Sequence, residues 1–93
     1  MTDLQNAMLG RLPLRSAETD AEWIDGELLL YDHPADRALY LNATAATIWS
    51  LCDGQTRVQD IVACMQDAYP DTAVAGDIVA AIRDLETNGL VVS

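Results

Sequence analysis

The spacing of apolar residues changes abruptly at Asn42. In Arg37–Leu41 (RALYL) Leu39 and Leu41 alternate with Ala38 and Tyr40, whereas after Asn42 the apolar residues recur every third or fourth position up to Gly54. A period of two predicts a strand and a period near 3.6 predicts a helix. The side chain of Asn42 can accept from a free backbone N–H, so it is a suitable N-cap. The sequence therefore predicts a strand that passes directly into a helix.

The N-terminal third predicts a small antiparallel sheet. Residues 12–16 read as a short edge strand, and residues 22–31 form an apolar segment that Asp25-Gly26 interrupts as a turn or a bulge. Residues 32–36 are rich in turn formers, and residues 37–41 follow as the next strand. We expect these segments to form a three-stranded meander.

Three helices are expected after the sheet. Thr56 and Gln59 match a capping box that opens the second helix, and Pro70 ends it. The third helix is predicted from about Val74 to Asn88, with Gly89 closing it. The apolar residues of the three helices share one face each: Ala45, Ile48, Trp49 and Cys52; Val58, Ile61, Val62, Met65, Ala68 and Tyr69; and Ile78, Val79, Ile82 and Leu85.

The predicted fold class is α+β. The expected architecture resembles a winged helix-turn-helix, with a three-stranded antiparallel N-terminal sheet followed by three helices and a short final strand at Leu90–Val92. Residues 1–11 lack periodicity and are predicted to be a flexible N-terminal arm, and residues 12–93 one domain. No apolar run approaches the ~20 residues of a membrane span, and the N-terminus lacks a signal peptide, so we expect a soluble cytoplasmic protein.

The charge balance argues against nucleic acid as a partner. The chain carries 15 acidic residues against five basic ones, all arginine, for a net charge of −10. The helix that would read DNA carries Asp77, Asp84 and Glu86 against Arg83, so the phosphates would repel it. A winged-helix DNA-binding regulator is therefore the disfavoured alternative. The acidity suits a basic partner, although solubility alone is an equally good explanation.

Residues that carry chemistry are scarce. Cys52 and Cys64 are expected to be buried thiols, and His33 is expected to be solvated in a turn. We predict no catalytic residues, no metal site and no cofactor. An acidic carrier protein would need a modifiable serine at a helix start, but Ser50 falls inside a helix. Trp49 is expected in the core, whereas for Trp23 core and surface are equally plausible.

The order and spacing of several segments resemble the PqqD family over residues 12–92. The segments are Leu28–Tyr31, Leu41-Asn42, the run from Ala45 through Ile48-Trp49 and Leu51 to Asp53-Gly54, Val58 with Ile61-Val62, Tyr69-Pro70, and the run from Asp77-Ile78 through Ile82 and Leu85 to Gly89–Val91. The resemblance implies a non-catalytic peptide chaperone that binds the leader of a ribosomally made precursor peptide. It also implies a maturation enzyme as partner, such as a radical-SAM protein or a peptidase, in pyrroloquinoline quinone biosynthesis or a related pathway such as lasso-peptide formation.

In that family the leader adds as a strand beside the third strand, in a groove bordered by the third helix. The resemblance therefore places the peptide site on Arg37, Ala38, Leu39, Tyr40 and Leu41, with a helical wall of Ile78, Ala81, Ile82 and Leu85 and with Asp77, Arg83 or Asp84 on the rim. We expect Leu39 and Leu41 to pack on the helices and the backbone of residues 37–41 to stay open for pairing. A homodimer through the same edge is possible and would compete with the peptide.

Overall fold

Two antiparallel sheets and three helices make up the described part of the chain, which is residues 7–92 of a computed structural model. Residues 7–9 are helical. The elements then follow in the order β1 (Leu14–Arg15), β2 (Thr19–Ile24), β3 (Glu27–Asp32), β4 (Arg37–Leu41), α1 (Ala43–Leu51), α2 (Val58–Ala68), α3 (Ala75–Thr87) and β5 (Val91–Val92). The mixed α+β class and the sheet-before-helices order are as expected.

The larger sheet has the strand order β2-β3-β4, all antiparallel. Asp25 and Gly26 join β2 to β3 and both have positive φ, 50° and 83°. Two adjacent left-handed residues are what a two-residue type I′ hairpin requires. The Asp25-Gly26 interruption is therefore a turn, and residues 19–32 supply two strands of the sheet where residues 22–31 were expected to supply one.

The strand predicted at residues 12–16 belongs to a different, smaller sheet. β1 pairs with β5 at the other end of the chain, with Leu14 opposite Val92. On its other side β1 is held by backbone hydrogen bonds from Arg15 N to Cys52 O (2.8 Å) and from Gly54 N to Pro13 O (2.8 Å). The N-terminal meander therefore starts at β2, and β1 closes the domain against the end of α1.

The core lies between the inner face of the larger sheet and the three helices. Leu28 and Leu30 of β3 are 1% and 0% exposed and belong to one core cluster with buried residues of all three helices. Burial of each such leucine contributes about 1.5–3 kcal/mol relative to an exposed one. The predicted apolar faces of the helices supply most of the remaining core, including Ile48, Ile61 and Ile82.

The helix starts follow the sequence prediction at α1 but not at α2. Asn42 caps α1, with its side-chain oxygen accepting from the Ala45 N–H at 2.9 Å. The capping box at Thr56 is wrong: the N-cap of α2 is Arg57, without a side-chain hydrogen bond. Thr56 is instead bound to Asp53, whose carboxylate accepts from its N–H at 2.8 Å and from its hydroxyl at 3.2 Å. The hydrogen bonds that the Asp53 carboxylate accepts from the Gln55 N–H and from Thr56 hold the pKa of Asp53 below its usual value.

The described end of the predicted arm packs on α2. Residues 1–6 lie outside the described residues, so the flexibility expected for them and the boundary at residue 12 stay predictions. Met8 is 4% exposed and belongs to the core. The Arg57 guanidinium donates to Gly10 O at 2.6 Å, and the Val58 N–H donates to Arg11 O at 3.0 Å.

The two cysteines differ in environment. Cys52 is buried, and burial raises the pKa of its thiol to about 12. Cys64 is exposed on α2, so its predicted burial is wrong; both thiols are free. Trp49 lies in the core as expected, with its indole N–H donating to Leu90 O at 3.2 Å, whereas Trp23 is 57% exposed. Within residues 7–92 no helix combines the length and apolarity that crossing a bilayer requires.

Candidate functional site: the edge of β4 and the cavity beside α3

The far side of β4 is an open sheet edge. β4 is the last strand of the order β2-β3-β4, and no other strand of the described chain pairs with it. The hydrogen bonding of β3 shows which groups of β4 are free. The His33 N–H donates to Glu18 O at 3.2 Å, in line with the β2–β3 register. Because hydrogen bonds alternate from side to side along a strand, the odd-numbered residues of β3 bond to β2 and the even-numbered residues bond to β4.

The same alternation assigns the backbone groups of β4. The even-numbered residues of β3 lie opposite Arg37, Leu39 and Leu41, so these three residues form the ladder with β3. Ala38 and Tyr40 lie between them, and their N–H and C=O groups point away from the sheet. The open edge therefore offers two donors and two acceptors in the spacing of an antiparallel strand.

The side chains of β4 separate onto the two faces of the sheet as predicted. Leu39 and Leu41 are half-buried and pack against the core. Ala38 and Tyr40 are exposed on the opposite face, Tyr40 to 63%. A strand added to this edge would thus place alternate side chains beside the leucines and beside Tyr40.

Arg37 ties the start of β4 to the end of α3. Its guanidinium donates to the Asn88 main-chain oxygen at 2.6 Å, and its Nε lies 3.5 Å from the Asp32 carboxylate. Asp32 is 6% exposed, so this carboxylate is taken out of water at the end of β3. The cation at the C-terminus of α3 also faces the negative end of the helix dipole. The end of α3 is thereby fixed next to the first residue of β4.

A cavity of about 290 Å³ opens at the other end of β4. It begins at Asn42, directly after the strand, and two members of the predicted wall, Ile78 and Ala81, line it together with Asp77 of the predicted rim. The start of α3 therefore lies near the end of β4, and its last residues lie near the start. The two elements therefore run in opposite directions, and we call the space between them the groove.

The other two members of the predicted wall lie in the core. Ile82 is 0% exposed and Leu85 is 4% exposed, and neither lines the cavity. Arg83 and Asp84, expected on the rim, are exposed. Apolar residues at helical spacing on α3 thus serve the core where they point inward and the cavity where they lie on its flank.

Sequence reasoning missed the wall that faces α3. It is built from α1, the end of α2 and the connection between α2 and α3, and includes Thr44, Ala45, Ile48, Met65, Tyr69, Thr72, Ala73 and Val74. Ile48 and Met65 were assigned to the core, where they also lie. The available signal was the apolar pair Ala73-Val74 in a turn, where Val74 is 56% exposed.

The edge of β2 is the second outer edge of the sheet and has a different character. His33 lies at its margin, with Nε2 2.7 Å from a carboxylate oxygen of Asp20 and its ring edge-on to Tyr31. His33 is exposed as expected but is paired rather than only solvated. Across residues 7–92 no group of three or more His, Cys, Asp or Glu side chains is placed to hold a metal ion.

Comparison with known proteins identifies the family and a similar fold. The sequence profile of the family described as Coenzyme PQQ synthesis protein D (PqqD) matches residues 27–91, which includes β4, the three helices and the cavity. The fold is similar to that of TbiB1, solved in complex with the TbiA(beta) leader peptide, with a TM-score of 0.70 and 22% identity over 84% of this chain and 93% of that one. No curated protein matches the sequence significantly. Since the family profile covers more than half of the chain, this protein belongs to the PqqD family.

Proposed function

We propose that this protein is a non-catalytic peptide chaperone. It binds the leader of a ribosomally synthesised precursor peptide by strand addition to β4 and presents the peptide to a maturation enzyme. The observation that carries the proposal is the open edge of β4, where the backbone groups of Ala38 and Tyr40 point away from the sheet. Family membership and the leader-bound TbiB1 neighbour support the same role.

Strand addition follows from the hydrogen-bonding chemistry of an open edge. Unpaired N–H and C=O groups along a strand are a template for another chain, and pairing gives affinity independent of sequence. Selectivity then comes from the side chains on either face of the incoming strand. On the inner face these side chains meet Leu39 and Leu41 and reach the cavity beside Ala81.

The proposed role also requires a surface on this protein that the partner enzyme contacts. A radical-SAM protein or a peptidase fits the family, in pyrroloquinoline quinone biosynthesis or a related pathway such as lasso-peptide formation. The outer face of the sheet, which carries Tyr40, stays exposed when a peptide occupies the edge. An enzyme docked there would contact both the chaperone and the bound leader.

Amide hydrogen exchange followed by NMR tests strand addition residue by residue. In the free protein the Leu39 and Leu41 amides exchange slowly because they bond to β3, whereas the Ala38 and Tyr40 amides exchange fast. A peptide selected on the immobilised protein from a display library of short random peptides is then added. We expect protection to appear at Ala38 and Tyr40 and their resonances to shift.

The amides of the β2 edge serve as the internal control. Ala21 and Trp23 alternate with the β2 residues that bond to β3, so their N–H groups also point away from the sheet. They should stay unprotected when the peptide binds. Protection of the β2 edge, or binding without protection of either edge, would contradict strand addition at β4.

A winged-helix DNA-binding regulator is the second candidate, favoured by the succession of α2, a short connection, α3 and β5. Its reading helix would be α3, whose exposed residues include Asp77 and Asp84 against Arg83. Phosphates would repel such a helix. A gel-shift assay at low salt with random-sequence DNA should show no complex, and a retarded band would revive this function.

A further inference from the structure

One face of α3 lines the groove with carboxylates. Asp77, Ala81, Asp84 and Asn88 succeed one another by three or four residues and so lie along one side of the helix. The two ends of this series are fixed by contacts: Asp77 and Ala81 line the cavity, and the Asn88 carbonyl accepts from Arg37 of β4. The side of α3 that carries Asp77 and Asp84 therefore faces the groove.

These two carboxylates have no cationic partner within residues 7–92. The described ion pairs join Arg11 to Glu86, His33 to Asp20 and Arg37 to Asp32. Arg83 lies on α3 itself but two residues from Ala81, which places it on the far side of the helix. Arg37 is occupied by its contacts at the end of α3. The groove thus has an apolar floor and an acidic wall that no cation of the described chain neutralises.

The floor and the wall together suit a particular kind of side chain. Leu39 and Leu41 of β4 and Ala81 of α3 are half-buried apolar residues that pack against the core. A lysine or arginine of an added strand lays its aliphatic stem on such a floor and extends its charged end to a carboxylate at the rim. An aliphatic residue would cover the same floor but would leave the carboxylates without a counter-charge.

Resting on strand addition as the proposed function, we propose that the groove selects peptides with two basic residues two or four positions apart, so that both side chains lie on the same face of the added strand. Asp77 and Asp84 are seven residues apart, which is about 10.5 Å along a helix at 1.5 Å per residue. Strand residues on one face are separated by about 6.6 Å for two positions and about 13 Å for four. Flexible lysine and arginine stems span the difference. The residues one position away from each basic residue point to the Tyr40 face.

The test compares peptides selected by three forms of the protein from one display library of short random peptides. The first form is the wild type, the second is the double variant Asp77→Asn with Asp84→Asn, and the third is the double variant Glu22→Gln with Glu27→Gln. The third form changes net charge by the same amount but at the exposed β2–β3 hairpin, away from the groove. Circular dichroism establishes that all three are folded.

We expect lysine or arginine at the stated spacing in the peptides selected by the wild type and by the hairpin variant. The groove variant should select peptides without this pair. It should also bind a wild-type-selected peptide about four- to twenty-five-fold more weakly, as two exposed ion pairs at about two- to five-fold each imply. Added salt should weaken wild-type binding more than binding by the groove variant.

Two results would overturn the inference in different ways. Selected peptides that protect the Ala38 and Tyr40 amides but lack a basic pair would remove the charge selection and leave strand addition standing. Equal losses in the groove and hairpin variants would attribute the effect to overall charge. Failure to select any peptide on any of the three forms would refute the proposed function itself, and the inference with it.

Discussion

Proline placed at Ala38 tests the open edge with a matched control on the same sheet. Ala38 is exposed on β4, and its N–H points away from β3, so proline there removes a donor from the edge without removing one from the ladder. Ala21 is an exposed alanine on β2, and its N–H points away from β3 in the same way. The Ala38→Pro and Ala21→Pro variants therefore carry the same chemical change on opposite edges.

The expected size of the effect follows from the groups that the edge exposes. The N–H and C=O groups of Ala38 and Tyr40 allow four backbone hydrogen bonds, worth about 2–6 kcal/mol together at about 0.5–1.5 kcal/mol each. Ala38→Pro removes one of the four. The dissociation constant of a wild-type-selected peptide should rise about two- to thirteen-fold, and more where the proline ring keeps the peptide at a distance.

Fluorescence anisotropy of the labelled peptide measures the dissociation constants, and urea unfolding measures the stability of each variant. We expect Ala21→Pro to bind as the wild type does. The reasoning fails if Ala38→Pro, still folded, binds with unchanged affinity. If Ala21→Pro is the variant that loses affinity, the peptide adds to β2 instead, and equal losses in both would indicate a general distortion of the sheet.

Three further predictions concern stability and thiol chemistry. Arg37→Met should lower the urea-derived free energy of unfolding by about 1–3 kcal/mol, because it leaves the buried Asp32 carboxylate without its cation. The exposed-site control Arg83→Met should change the free energy of unfolding by less than about 0.5 kcal/mol. Equal effects of the two variants would contradict a stabilising role for the Arg37–Asp32 pair. In the native protein at neutral pH only Cys64 should react with Ellman's reagent, and Cys52 should react only after unfolding. Rapid reaction of both thiols in the native protein would refute the burial of Cys52. The pKa of Cys52 is about 12 in the folded protein against an ordinary 9.0, so the stability that its protonated form provides is complete below pH 9.0 and is lost as pH rises toward 12, by up to about 1.4 kcal/mol per pH unit. Cys52→Ala should flatten this part of the plot of stability against pH. An unchanged slope in the variant would contradict the raised pKa of Cys52.

Local patterns in the sequence predicted the helices well. A side-chain oxygen at Asn42 marks the start of α1 in both the sequence and the fold. The end of α1 was predicted less well, because the helix ends at Leu51 with Cys52 as its C-cap, and Gly54, with φ of 77°, lies beyond the cap. The failure at α2 shows how local rules compete. Thr56 fits a capping box, but its N–H and its hydroxyl donate to the Asp53 carboxylate instead, and the helix begins one residue later than the capping box predicts.

Pairing between distant segments was beyond local reasoning. β1 and β5 are two residues each and come from opposite ends of the chain, so no periodicity reveals that Leu14 lies opposite Val92. Met8 joins the core for the same reason, through contacts made only in the folded chain. The N-terminal meander was consequently predicted with the wrong first strand.

The part of the candidate site that depends on the alternation of side chains along β4 was predictable from the sequence. The part that depends on how α3 and the connection before it pack was not. The period of two along β4 placed Leu39 and Leu41 on the inner face correctly. The family resemblance named the α3 wall, but successive helical residues point about 100° apart, so Ala81 lines the cavity while Ile82 lies in the core. The connection after α2 also contributes a wall, through Thr72, Ala73 and Val74, which a turn signal alone does not indicate.

An unsatisfied strand edge attracts copies of the same molecule as readily as a foreign chain. This sheet has two such edges, and one of them displays Asp20 and Glu22 on β2 while the whole molecule carries a charge of −10. Mutual repulsion would oppose edge-to-edge pairing of copies without a proline or a bulge on either edge, and the same negative charge would attract a cationic partner. Acidification neutralises the carboxylates, so sedimentation should show a larger share of dimers or larger assemblies as pH falls, and high salt should have a weaker effect of the same sign.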